Sequence, residues 1–73
     1  MTSATARTVS LTVNGAAMTA AATTLAELLI EANFAGVRVA TAVNGAFVPE
    51  RARAETKLVA GDKIEILTPR QGG

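Results

Sequence analysis

The sequence predicts an α+β domain in which one helix packs across one face of a mixed four- to five-stranded sheet. Short alternating apolar runs indicate strands, two Asn-Gly pairs indicate hairpin turns, and one stretch has the apolar spacing of a helix. The chain has 73 residues, enough for one small domain. We expect this domain at 9–68, with a flexible lead-in at 1–8 and an extended, flexible tail at 69–73.

The first predicted element is a β-hairpin. Val9, Leu11 and Val13 alternate with polar residues, which indicates a strand with one buried face. Asn14-Gly15 follows and suits a type I′ turn, because both central residues of that turn need positive φ. The returning strand is therefore expected at 16–20.

A helix is expected next, beginning at Thr24. The Thr24 side chain can accept from a free helix N–H, and Glu27 can reach back to the Thr24 amide, as in a capping box. Asn33 and Gly36 are suitable C-terminal stops, so the helix should be about nine residues long. Its apolar stripe consists of Leu25, Leu28, Leu29 and Ala32.

The second hairpin is predicted from a repeat of the same turn residues. A strand at 39–43 ends in Asn44-Gly45, which leads to a short strand at 46–48. Pro49 lacks a backbone donor, so this short strand should lie at a sheet edge or end there.

The last strand is predicted at 63–68, directly before the tail. The segment 50–57 is polar and reads as irregular, and Leu58 should insert into the core before the Gly61-Asp62 turn. Period-two alternation gives the strand two faces. Ile64 and Ile66 are expected to face the core, and Glu65 and Leu67 to face outward.

The composition excludes several classes of function. The chain has no Cys and no His, which removes disulfides, the usual zinc sites and catalysis by Cys–His or Ser–His pairs. Its net charge is +1, its basic residues are scattered, and it has two Phe and neither Trp nor Tyr, unlike a nucleic-acid binder. Its apolar runs are too short to span a membrane, and no signal peptide is evident. We expect a cytoplasmic protein that is a partner or substrate of enzymes, not an enzyme, and that holds no metal.

The tail carries the candidate chemistry. Pro69 cannot continue a strand ladder and favours an extended Thr68, so the tail should leave the domain extended. Gly72 and Gly73 lack Cβ atoms, so their backbone can enter a narrow channel where the Gly73 carboxylate is activated as an acyl-adenylate. The alternative is an incidental terminus, although two terminal glycines arise by chance in only about 0.5% of chains.

The order and spacing of these segments resemble the ThiS family, the sulfur carriers of bacterial thiamin biosynthesis, within the β-grasp or ubiquitin-like superfamily. The resemblance covers residues 9–73. Arg70 departs from it, since family members often carry an apolar residue there, and the lead-in is longer than the family usually has. The matching segments are Val13–Gly15, Thr24–Leu29, Ala42–Gly45 with Val48-Pro49, Leu58–Ile66 and Gln71–Gly73.

The resemblance implies a carrier that binds no cofactor itself. In such a family an E1-like (ThiF-like) enzyme uses ATP and magnesium to adenylate the terminal carboxylate, here Gly73. A sulfur donor, usually fed by a cysteine desulfurase, then replaces AMP and leaves a thiocarboxylate, which gives its sulfur to a thiazole synthase (ThiG-like). Arg70, Gln71 and Gly72 would be the tail residues that the adenylating enzyme recognises.

Other functions fit the same pattern. The small subunit of molybdopterin synthase and the carriers for tRNA thiolation use the same chemistry with different acceptors. A protein-conjugating modifier and a non-reactive ubiquitin-like interaction module are further alternatives. The sequence does not decide between these acceptors.

Surface positions give two weaker predictions. Leu67, with an outward residue of the third strand such as Thr41, is expected to contribute to partner docking; the alternative is a scattered exposed apolar residue. Arg51 and Arg53 are interpreted as part of a solvated loop or as contacts to an acidic partner patch. Phe34 and Phe47 are expected to pack in the core or at its rim.

Overall fold

Seven short elements follow one another along residues 8–69, the part of the chain that the computed structural model describes. The predicted lead-in, apart from Thr8, and the tail residues 70–73 lie outside this part. The elements are β1 (Val9–Val13), β2 (Ala16–Ala20), α1 (Leu25–Glu31), β3 (Ala40–Val43), β4 (Ala46–Val48), a 3-10 helix (Glu50–Glu55) and β5 (Lys63–Leu67).

The strands form one mixed sheet in the order β2-β1-β5-β3-β4. β1 and β5 are parallel, and every other neighbouring pair is antiparallel. The first and second hairpins therefore lie on opposite sides of β5, and α1 connects them. This confirms the predicted element order and the mixed sheet.

Both Asn-Gly pairs adopt the predicted type I′ geometry. Asn14 and Gly15 have φ values of 51° and 85°, and Asn44 and Gly45 have 52° and 86°. Gly tolerates positive φ because it has no Cβ to crowd the following carbonyl, and Asn because its short polar side chain can form local hydrogen bonds. The turn residues thus fix both hairpin registers.

The core lies between α1 and one face of the sheet. Leu25 and Leu28 of α1 are fully buried, as is the inward face of β5 at Ile64 and Ile66. Leu58 inserts into the same cluster, as its position before the Gly61 turn predicts. The other buried apolar residues are Leu11, Ala20, Ala22, Leu29, Val39 and Val48.

The start of α1 differs in one bond from the predicted capping box. Thr24 Oγ1 accepts from the Glu27 N–H at 3.2 Å, as expected. The Glu27 carboxylate accepts mainly from the backbone N–H and the hydroxyl of Thr23, both at 2.8 Å, and the predicted contact with the Thr24 amide is the weaker one. The helix has seven residues and not nine, because Asn33 already adopts a left-handed φ of 70°.

The bonds to Glu27 make the stability of the domain depend on pH. The backbone N–H of Thr23, followed by its hydroxyl, lowers the pKa of Glu27 below its ordinary value. A lowered folded-state pKa adds stability above the unfolded-state pKa, and that stability is lost as the pH falls through the folded-state pKa. Glu27→Gln should therefore flatten the acid limb of the thermal midpoint plotted against pH.

The matched control for this prediction is Glu55→Gln, which removes a carboxylate from the exposed end of the 3-10 helix. Thermal unfolding of both variants and the unmodified chain, followed by circular dichroism from neutral pH to about pH 3, gives the comparison. An acid limb of E27Q that matches the unmodified chain would contradict the assigned role of Glu27.

Further boundaries sharpen the predictions. β3 begins at Ala40 and not at residue 39, and β5 ends at Leu67 and not at residue 68. The segment predicted to be irregular contains the 3-10 helix. Pro49 directly follows β4, which lies at the sheet edge, as predicted. Within residues 8–69 no helix is long and apolar enough to cross a membrane.

Candidate functional site

The candidate site lies at the end of β5, where the tail begins. β5 is the central strand and pairs with β1 on one side and β3 on the other. Its last residue, Leu67, lies opposite Ala40, and Thr68 and Pro69 continue beyond the ladder. The tail therefore follows directly from the central strand of the sheet.

A shallow groove lies at this point. Its volume is about 320 Å³, and its lining is mainly apolar. Because the first tail residue and the end of β5 form one wall, a group that fills the groove would contact the base of the tail. The lining residues are Arg38, Val39, Ala40, Leu67, Thr68 and Pro69.

The sheet face opposite α1 continues this groove. We call it the free face and define it by Ala40, Ala42, Phe47, Glu65 and Leu67. Ala40 lies opposite Leu67, and Ala42 lies between Phe47 and Glu65, so two small side chains separate two large ones. Leu67 is 64% exposed and Phe47 68% exposed. The outward orientation of Leu67 is confirmed, and its role in docking stays a prediction.

The prediction that Thr41 faces outward is wrong. Thr41 is only 2% exposed, and its hydroxyl donates to the Val48 carbonyl at 2.8 Å. Side chains two residues apart in a strand lie on the same face of the sheet. Because Val39 and Val43 face the core, Thr41 between them must face the core too. The outward residues of β3 are Ala40 and Ala42.

Arg53 belongs to neither of the two interpretations that the sequence offered. Its Nε donates to Thr41 Oγ1 at 3.1 Å, and its Nη2 donates to the Val39 carbonyl at 2.7 Å. These bonds tie the 3-10 helix to β3 and satisfy the buried hydroxyl. Arg51 is exposed. The sequence held one signal of this contact: a polar Thr41 on the inward face of β3 needs a hydrogen-bond partner.

Phe47 is the site residue that sequence reasoning missed. Its predicted packing in the core or at its rim is wrong, since its side chain lies on the free face. Val48 is buried, so alternation within β4 already required Phe47 to point outward. Phe34, in contrast, packs against the core as predicted.

The rest of the predicted site cannot be placed. Arg70, Gln71, Gly72 and Gly73 lie outside the described residues, and their roles stay predictions. Among residues 8–69 no group of three or more acidic side chains is arranged to hold a metal ion. What the described part offers is an apolar face and groove beside the base of the tail.

A five-stranded mixed sheet with one helix across one face and a central last strand defines a β-grasp protein. Comparison with known proteins narrows the class. The ThiS family profile matches residues 11–73, and the chain belongs to the ThiS family. No curated protein sequence matches the chain.

A solved structure agrees with this assignment. The chain is similar to the crystal structure of the thiamine biosynthesis protein ThiS from Geobacter metallireducens, with a TM-score of 0.71 and 30% sequence identity. The match covers 89% of this chain and 100% of that one. The resemblance recognised from the sequence motifs is thereby confirmed, as is the β-grasp fold.

Proposed function

We propose that this chain is a sulfur carrier whose Gly73 carboxylate is converted to a thiocarboxylate for thiazole formation. Membership of the ThiS family supports the carrier role. The observation that carries the finer proposal is the position of β5, the central strand, which ends beside an apolar face immediately before the Pro69 to Gly73 tail. The cytoplasmic location and the flexible lead-in stay predictions.

The proposed chemistry activates the Gly73 carboxylate in a first step and installs sulfur on it in a second. A carboxylate oxygen of Gly73 attacks the α-phosphorus of ATP on an E1-like enzyme that uses magnesium, and pyrophosphate leaves. A sulfur donor, loaded as a persulfide by a cysteine desulfurase or another source, then attacks the acyl carbon through its terminal sulfur and expels AMP. A second thiol of the donor breaks the S–S bond of the resulting acyl disulfide, which leaves the thiocarboxylate on Gly73 and a disulfide on the donor. The carrier supplies the electrophile and the docking surface, and the enzymes supply the catalysis.

Intact-mass spectrometry tests this proposal directly. The chain is incubated with ATP, magnesium, the adenylating enzyme from the same organism and a sulfur source. We expect a product heavier by the difference between one sulfur and one oxygen atom, and none when ATP is omitted. An unchanged mass, although the enzymes are competent, would contradict the carrier proposal.

The acceptor is tested separately by co-purification. The similar protein is described as a thiamine biosynthesis protein, which favours a thiazole synthase as the partner. The tagged chain should therefore retain that enzyme from its own cell extract. Retention of the large molybdopterin synthase subunit or of a tRNA-thiolating enzyme instead would assign one of the two alternative acceptors.

Docking through the free face gives a further prediction. Leu67→Lys should raise the KM for adenylation roughly tenfold, because a charge placed at the centre of an apolar contact must be desolvated. The fold should persist, since Leu67 is 64% exposed. Val59→Lys is the matched control, because Val59 is 60% exposed and precedes the Gly61 turn instead of the tail. Equal KM values for the two variants would rule out docking at Leu67.

A further inference from the structure

The Asn14 side chain acts as an extra strand residue beside the end of β5. Its Oδ1 accepts from the Ile66 N–H at 2.8 Å, and its Nδ2 donates to the Ile66 carbonyl at 3.0 Å. Its backbone N–H donates to the Ile64 carbonyl at 2.9 Å. One residue of the first turn therefore holds two consecutive inward-facing residues of the last strand.

Asn44 makes an equivalent contact at the other end of β5. Its Oδ1 accepts from the Lys63 N–H at 2.9 Å, and its Nδ2 donates to Asp62 Oδ1 at 2.9 Å. Its backbone N–H donates to the Lys63 carbonyl at 2.7 Å. The two Asn-Gly turns thus form hydrogen bonds to the same strand, on opposite sides and at opposite ends.

The hydrogen bonds of Asn14 are the ones next to the tail. The last residue of β1 that pairs with β5 is Val13, opposite Ile64, and the chain then turns away into β2. On that side Ile66 has no strand partner, although its side chain is only 3% exposed. The Asn14 amide supplies both missing bonds, and the next residues to leave the sheet are Thr68 and Pro69.

We propose that Asn14 is a positioning residue for the tail. By holding Ile66 on the β1 side, while β3 holds Leu67 on the other, its amide fixes the direction in which the chain leaves the sheet. A tail aimed from a fixed base reaches an enzyme channel in fewer orientations, which lowers the entropy lost when it enters. The consequence for adenylation rests on the proposed function, whereas the control of tail direction does not.

Amide hydrogen exchange tests the structural half of this proposal without any enzyme. Asn14→Ala removes the bonds at the tail end of β5, and Asn44→Ala removes matched bonds at its start. N14A should raise exchange at Ile66, relative to the slowest core amides, by about tenfold over N44A, the effect of about one hydrogen bond. N44A should show its own excess at Lys63. Equal exchange at Ile66 in the two variants would overturn the proposal.

Steady-state adenylation, followed by pyrophosphate release, tests the functional half. We expect N14A to lower kcat roughly five- to tenfold with KM within about twofold of the unmodified chain, since its docking face is intact. N44A, which loosens the same strand away from the tail, should keep kcat. Equal kcat for N14A and N44A would overturn the positioning role. If the unmodified chain is not adenylated, the proposed function fails, and the exchange comparison still decides whether Asn14 holds the end of β5.

Discussion

Removing Gly73 should abolish thiocarboxylate formation while leaving the domain folded. The deletion moves the terminal carboxylate back by one residue, about 3.3–3.6 Å along an extended chain. A misplacement of about 1 Å can already lower the rate about a hundredfold. The rate of thiocarboxylate formation on the shortened tail should therefore fall by more than that. The core lies within residues 8–69, so circular dichroism and the thermal midpoint should not change.

The control for this deletion is a truncation at the opposite end. Removing residues 2–7 shortens the chain without touching the tail, and the rate of product formation by intact mass should match the unmodified chain. A Gly73 deletion that still gains sulfur at the original rate would show that its carboxylate is not the reactive group. A loss of folded signal on deletion would show that the tail supports the domain.

Leu28→Ala should cost about 2–5 kcal/mol of unfolding free energy, as is typical when a large buried side chain leaves a cavity. Leu28 is fully buried in α1, in contact with the core cluster. A chain of 73 residues has a total stability of only about 4–11 kcal/mol. Urea denaturation should therefore show a midpoint reduced by a large fraction, with the slope m unchanged.

Ile30→Ala is the matched control, since it removes an aliphatic side chain of the same size from the same helix. Ile30 is 63% exposed, so its loss should change the free energy of unfolding by no more than about 0.5 kcal/mol. Similar midpoints for the two variants would mean that the stripe of α1 residues does not form the core as described.

Local patterns were sufficient to predict the five strands and the α-helix of this fold, but not the 3-10 helix. The two Asn-Gly turns, the alternation around Leu11 and Ile64, and the leucine stripe of α1 each act over a few residues. The predictions drawn from these patterns were therefore correct for the order of the strands along the chain, the geometry of the hairpins and the core. The helix is shorter than expected because Asn33 takes a left-handed φ at its C-terminal end. The return bonds of Glu27 go mainly to Thr23, since the carboxylate can reach several nearby donors.

Contacts between distant residues could not be predicted in the same way. Arg53 reaches Thr41 across 12 positions of sequence, and Asn14 reaches Ile66 across 52. No local rule selects those partners, since they become neighbours only once the sheet has formed. In the candidate site, alternation gave Leu67 correctly. Applied consistently, it would also have placed Phe47 outward and Thr41 inward.

The place of β5 in the sheet has a consequence for how the protein is made. β5 is the last strand to be synthesised, yet it is the only neighbour that the two hairpins share among the described residues. A nascent chain can form each hairpin early, but the long-range pairing of β1 with β5 must wait for loop closure over most of the chain. The sheet is therefore completed only when residue 67 has left the ribosome, so the domain cannot reach its final fold before every one of its described elements has been synthesised.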